Sequence, residues 1–127
     1  MRKKSMSDAE VFFPSEVGNR VDEWINSLFG DTSQNLVVAG SVVYRSQDKN
    51  VAIVGDSDIS GYRSVYFPKE GYWDSGLDCA QSARSFLACA VIFDGGHPAP
   101  SVFRMISDEY DGNVEIEDDG SISATRA

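Results

Sequence analysis

Between Val17 and Phe29 the apolar residues Val17, Val21, Trp24, Ile25, Leu28 and Phe29 recur at helical spacing. Glu16, Asn19, Arg20, Asp22, Glu23, Asn26 and Ser27 take the opposite side. No polar side chain intrudes on the stripe, so the pattern predicts a helix that opens at Pro14-Ser15 and packs on a sheet. Gly30 stands where a glycine caps a helix C-terminus. Trp24 and Phe29 read as packing residues on this view.

The most apolar stretch runs from Ser75 to Phe93. Ser75, with Asp78 three residues later, makes an N-cap with an acid in the first turn. Cys79, Ala80, Ala83, Phe86, Leu87, Ala90 and Val91 follow at helical spacing, and Gln81, Ser82, Arg84 and Ser85 fall opposite. After Leu87 the segment becomes apolar all round, through Ala88, Cys89, Ile92 and Phe93. One helix with buried last turns is the expectation. A shorter helix that hands over to a buried strand is the alternative.

Between these helices Leu36 to Arg45 reads as a Val-rich strand, Ser46 to Asn50 as a polar turn, and Val51 to Val54 and Tyr62 to Phe67 as two more strands. Their short connections predict an antiparallel meander. Pro68 to Gly76 reads as an aromatic-bearing loop. Past Phe93, residues 94–100 form a loop by composition. Ser101 to Ser107 fits either a helix or a strand, with the strand favoured. Val114 to Glu117 reads as a strand, Asp118-Asp119-Gly120 as a turn and Ser121 to Thr125 as a last strand. The expected fold is α+β, an antiparallel sheet of about five to six strands with two main helices packed on one face.

Length and composition then narrow the picture. The 127 residues, 42% hydrophobic, suit one globular domain over residues 8–127. Met1 to Ser7 reads as a disordered basic tail holding Arg2, Lys3 and Lys4. The longest apolar run, Phe86 to Phe93, is well short of the roughly 20 residues that a membrane span needs. No apolar stretch follows the basic start, as a signal peptide would require. A cytoplasmic protein with no membrane partner is expected. On a single helix Cys79 and Cys89 would stand about 15 Å apart, beyond disulfide reach.

Candidate chemistry is sparse. His97, between Gly96 and Pro98, is the one histidine, so any imidazole mechanism must use it. No G-x-S-x-G elbow, zinc-ligand spacing or glycine-rich phosphate loop occurs. Both cysteines lie on the apolar side or at the buried end of their helix, where thiols are structural. Asp56-Ser57-Asp58-Ile59-Ser60-Gly61 matches the first half of a calcium loop, but the twelfth position is Phe67 and not Glu. A turn accounts for these residues as well, so Asp56 and Asp58 are weak metal candidates. No cofactor is expected.

Charge carries the functional reading. The net charge is −9, which repels nucleic acid and favours a basic protein partner. Asp108, Glu109, Asp111, Glu115, Glu117, Asp118 and Asp119 crowd the span between Met105 and Thr125, which holds no Lys, Arg or His. Tyr66, Phe67, Tyr72 and Trp73 gather around Pro68 and Gly71, and on a loop Tyr66, Tyr72 and Trp73 would make anchors for a partner. The expectation is a non-enzymatic module that neutralises a basic protein. In size and charge the chain resembles bacterial immunity proteins, inhibitors that occlude the active site of a nuclease toxin. A cytoplasmic chaperone for a secreted effector is the second reading, and a small enzyme using His97 the third.

Overall fold

The structure, a computed structural model, describes residues 8–30 and 34–124. The basic tail expected over residues 1–7, and Thr125 of the expected last strand, lie outside the described residues. The chain opens with β1 (Ala9–Pro14), a 3₁₀ turn over Ser15–Val17 and α1 (Gly18–Phe29). It continues through β2 (Gln34–Val38), β3 (Ser41–Arg45), β4 (Val51–Asp56) and β5 (Tyr62–Phe67). Then come α2 (Gly76–Leu87), β6 (Val91–Phe93), β7 (Val102–Ile106), β8 (Asp111–Ile116) and β9 (Ile122–Ala124). The strands form one sheet in the order β2-β3-β4-β5-β1-β6-β7-β8-β9, and every neighbouring pair is antiparallel. No helix among the described residues is long and apolar enough to cross a membrane.

The sheet has nine strands and not five to six. β1 is one of the added strands, and it lies at the centre, between β5 and β6. In AEVFFP only Glu10 is polar and Pro14 closes the segment, so the alternation is too short to mark a strand by sequence. The expected strand Leu36 to Arg45 is instead a hairpin, turning at Ala39 and Gly40, which have φ of 51° and 83°. Two positive φ values make the type I′ turn that suits strand twist, and Ala in place of Asn or Asp at the first position conceals it. The third addition, β6, corrects the single-helix expectation for Ser75 to Phe93. Ser75 caps α2 as expected, its Oγ accepting from the Asp78 N–H at 3.1 Å. The helix ends at Leu87, where Ala88 turns left-handed and its N–H bonds Arg84 O at 2.9 Å. The last three residues of the stretch are then a strand buried on both faces.

Successive side chains of a strand point to opposite faces. Ala9, Val11 and Phe13 of β1 join Val65 and Phe67, Val91 and Phe93, Ala52 and Val54, Tyr44 and Ile106 in one buried core with both helices. α2 lies over β1 and β6, and α1 packs beside α2. Trp24 of α1 donates its indole N–H to Ser82 Oγ of α2 at 3.0 Å, tying the helices together.

The other face carries no helix, and the sheet curls over it. From β5 to β8 is four strand steps, roughly 19 Å in a flat sheet. Yet Ser60, in the β4–β5 turn, donates its N–H to Gly120 O at 2.9 Å and its Oγ–H to Asp119 O at 3.0 Å, in the β8–β9 turn. This clasp draws the helix-free face into a hollow. It also explains why Ile59, Ile92 and Val114 are buried away from the main core.

Candidate functional site: an acid-rimmed groove

The hollow is a groove along the helix-free side of β1. Two adjoining cavities of about 390 and 480 Å³ share Glu10, Phe12 and Phe103. β1 positions Glu10 and Phe12, because the alternation that buries Ala9, Val11 and Phe13 turns them the other way. The Phe12 and Phe103 rings meet edge to face at 5.9 Å and form the floor. Ile59, Ile116 and Tyr66 extend the walls.

Asp8, Glu10, Asp56, Asp58 and Asp94 also line the groove, and no Lys, Arg or His does among the described residues. Asp56 shares the parity of Val54 on β4, so its carboxylate turns to Arg63 Nε, 3.6 Å away on the helix side, and it lines the groove without adding to the ring of charge. Glu10 pairs with Tyr66 across the strands. Partial desolvation raises its pKa above the usual carboxylate range; a Ser64 hydrogen bond opposes the rise and the charge of Asp8 adds to it. The Tyr66 hydroxyl donates to Asp8, and that bond, more than desolvation, raises the phenol's pKa. Asp94 Oδ1 accepts the Gly96 N–H at 2.9 Å, which fixes the carboxylate at the groove's end. The result is an apolar, aromatic floor inside a ring of negative charge. A Lys or Arg side chain matches both parts, with its stem on the rings and its cationic head at the carboxylates.

The residues singled out in the sequence are dispersed by the fold. Of the expected aromatic anchors, only Tyr66 reaches the groove. Tyr72 and Trp73 are half-buried on the helix side, in a ring cluster with Trp24, Phe29 and Phe67. Trp73 stacks on Trp24 at 6.4 Å, and Tyr72 stacks on Phe67 at 5.7 Å.

The acids of the C-terminal quarter lie on β8 and the turns on either side of it, several with partners within the fold. Asp108 pairs with Arg84. Asp111 receives two bonds from Arg104, at 2.9 and 3.0 Å, and this guanidinium lowers its pKa. Glu115 accepts from Ser101 at 3.2 Å and Glu117 from Ser123 at 2.7 Å. Asp119 takes bonds from Ser121, which lower its pKa. Glu109 and Asp118 are exposed.

The candidate chemistry is equally scattered. His97 is exposed, with Nδ1 accepting the Ala99 N–H at 3.0 Å. Cys79 is buried in the core, where desolvation pushes its thiol far up, and Cys89 is half-buried and raised for the same reason. Both thiols are thus held in the unreactive protonated form. The Asp56–Gly61 loop is closed by its own bonds, with Ser57 Oγ donating to Tyr62 O at 2.7 Å and accepting from Ile59 N at 3.1 Å. Among the described residues no three of His, Cys, Asp and Glu gather closely enough to hold a metal ion.

Sequence reasoning missed Asp8, Glu10, Phe12, Asp94 and Phe103. One signal was present: in AEVFFP the positions opposite Ala9, Val11 and Phe13 are an acid and a phenylalanine, an odd pair for a plain solvent face. No family model matches this chain, and comparisons with curated proteins and with solved structures likewise find no match.

Proposed function

We propose that this chain is a binding protein that neutralises a basic protein, an immunity or inhibitor protein that covers a cationic, nuclease-type active site. The observation that carries the reading is the groove: an aromatic floor ringed by Asp8, Glu10, Asp58 and Asp94, with no base lining it among the described residues. A basic loop entering it leaves water on the apolar floor while its charge stays paired, the combination that makes interface hot spots. Phe12, Phe103 and Tyr66 take the anchoring role here. Tyr72 and Trp73 serve the core. The acids of the β7–β8 and β8–β9 turns extend the negative field and steer the encounter.

The test is capture of binding partners from the native host with the wild-type chain and with Glu10→Lys/Asp94→Lys, after both are shown to fold. The wild type is expected to retain a protein of pI above about 7 that the groove variant loses. Retention of the same partner by both chains, or capture of acidic partners only, would overturn the reading.

A further inference from the structure

The two edges of the sheet are built differently. β9 forms one edge with three residues, just after the acidic turn Asp118-Asp119-Gly120. β2 forms the other with five residues, Gln34–Val38, none of them charged and none proline. Its register against β3 runs unbroken from Gln34↔Arg45 to Val38↔Ser41, so no bulge turns it aside. Leu36, Val37 and Val38 are 55%, 72% and 49% exposed. Val37 shares the helix side with Val42, and Leu36 and Val38 face the other way. Sheet edges are ordinarily blunted by charge, proline, a bulge or shortness, and β2 has none of these.

The hairpin fixes which backbone groups are open. Residues flanking a two-residue turn form a hydrogen-bonded pair, and bonding then alternates along the strand. Val38, Leu36 and Gln34 therefore bond inward to β3. The N–H and C=O groups of Val37 and Asn35 point out of the sheet, ready for another strand.

We infer that β2 pairs with β2 of a second copy of this chain, antiparallel about a two-fold axis. Charge selects this occupant. From Gln34 to Gln47 the chain has no acid and a single base, Arg45, although its net charge is −9. Its densest run of acids follows Met105, on β8 and the turns on either side of it, towards the opposite edge. The β2 edge is thus where two acidic chains approach with little repulsion, and the carboxylate that reaches β3, Asp22, is already bonded by the Tyr44 hydroxyl. Pairing centred on Val37 sets Val37 against its own copy and Leu36 against Val38 of the second copy, apolar on apolar. One strand pair buries less than the roughly 1,200 Å² of standard interfaces, so the dimer is weak and concentration-dependent. The inference is independent of the groove's function.

Sedimentation velocity of the full chain from about 2 to 200 µM tests it by mass action. The expected result is a shift from monomer towards dimer over that range, undiminished when NaCl is raised. Val37→Lys and Val37→Pro should both remain monomeric at the top concentration, with unchanged circular dichroism and melting. Val37 is exposed and its N–H faces outward, so proline leaves the β2–β3 bonds intact. A wild type that stays monomeric, a dimer that survives both substitutions, or a dimer dissolved by salt would each overturn the inference.

Discussion

Ala88 ends α2 in the left-handed region with φ of 55°, a conformation that costs a residue with a Cβ about 1–2 kcal/mol. Its side chain is exposed, so removing the methyl loses no packing. Ala88→Gly should therefore raise unfolding free energy by about 0.5–1 kcal/mol after the greater freedom of an unfolded glycine is subtracted, as read by urea titration. Glu10 tests a different residue-level balance. Desolvation raises its pKa in the folded chain, so between the ordinary glutamate value and the raised one the folded state binds more protons than the unfolded state. Stability contributed by this group is then present at low pH and lost as pH rises through that window. Glu10→Gln should remove the loss, so the variant's stability relative to wild type should improve as pH rises above the ordinary glutamate value in parallel urea titrations. A difference independent of pH would contradict the assigned desolvation.

At the scale of elements, the clasp between the β4–β5 and β8–β9 turns shapes the groove. Gly120 has φ of 87°, and a Cβ there would sit 2.4 Å from the Asp58 carbonyl oxygen. Backbone must move to admit any side chain, because the obstructing atom is itself backbone. Gly120→Ala is expected to cost about 1–3 kcal/mol in chemical unfolding and to loosen the groove by displacing Asp58 in its wall. An unchanged midpoint would show that the turns are not clamped. Local patterns announced α1 and the capped start of α2, because an amphipathic stripe and a Ser cap act through neighbours in sequence. The same patterns miscounted the strands. β6 is apolar on both faces and β1 has Glu10 as its one polar residue before Pro14, so neither carries a period long enough to separate a strand from a buried helical turn. The Ala39-Gly40 turn lacks the Asn or Asp that would mark it.

For the whole molecule, the net charge of −9 predicts salt-sensitive association with a basic partner. The association rate should fall several-fold as NaCl rises past about 0.1 M, where the Debye length is near 10 Å. Asp118→Lys/Asp119→Lys should slow association, whereas Phe103→Ala should mainly speed dissociation, since exposed charges steer and buried rings hold. Stopped-flow or surface-based kinetics separate the two, and a dissociation rate unmoved by Phe103→Ala would remove the groove floor from the interface. What the sequence determined by itself is the acidity, the α+β class, α1, the cap of α2 and the strands from Val51 onward that sit between clear turns. Each depends on composition or on residues within a few positions of one another. Only the tertiary structure decided that β1 is central, that the sheet curls, and that Asp8, Glu10, Phe12, Asp94 and Phe103 share one groove. It also decided that Tyr72 and Trp73 belong to the core and not beside Tyr66. These outcomes depend on strand order and on which face a side chain takes, and a one-residue step in parity sends Tyr66 to one side of the sheet and Phe67 to the other.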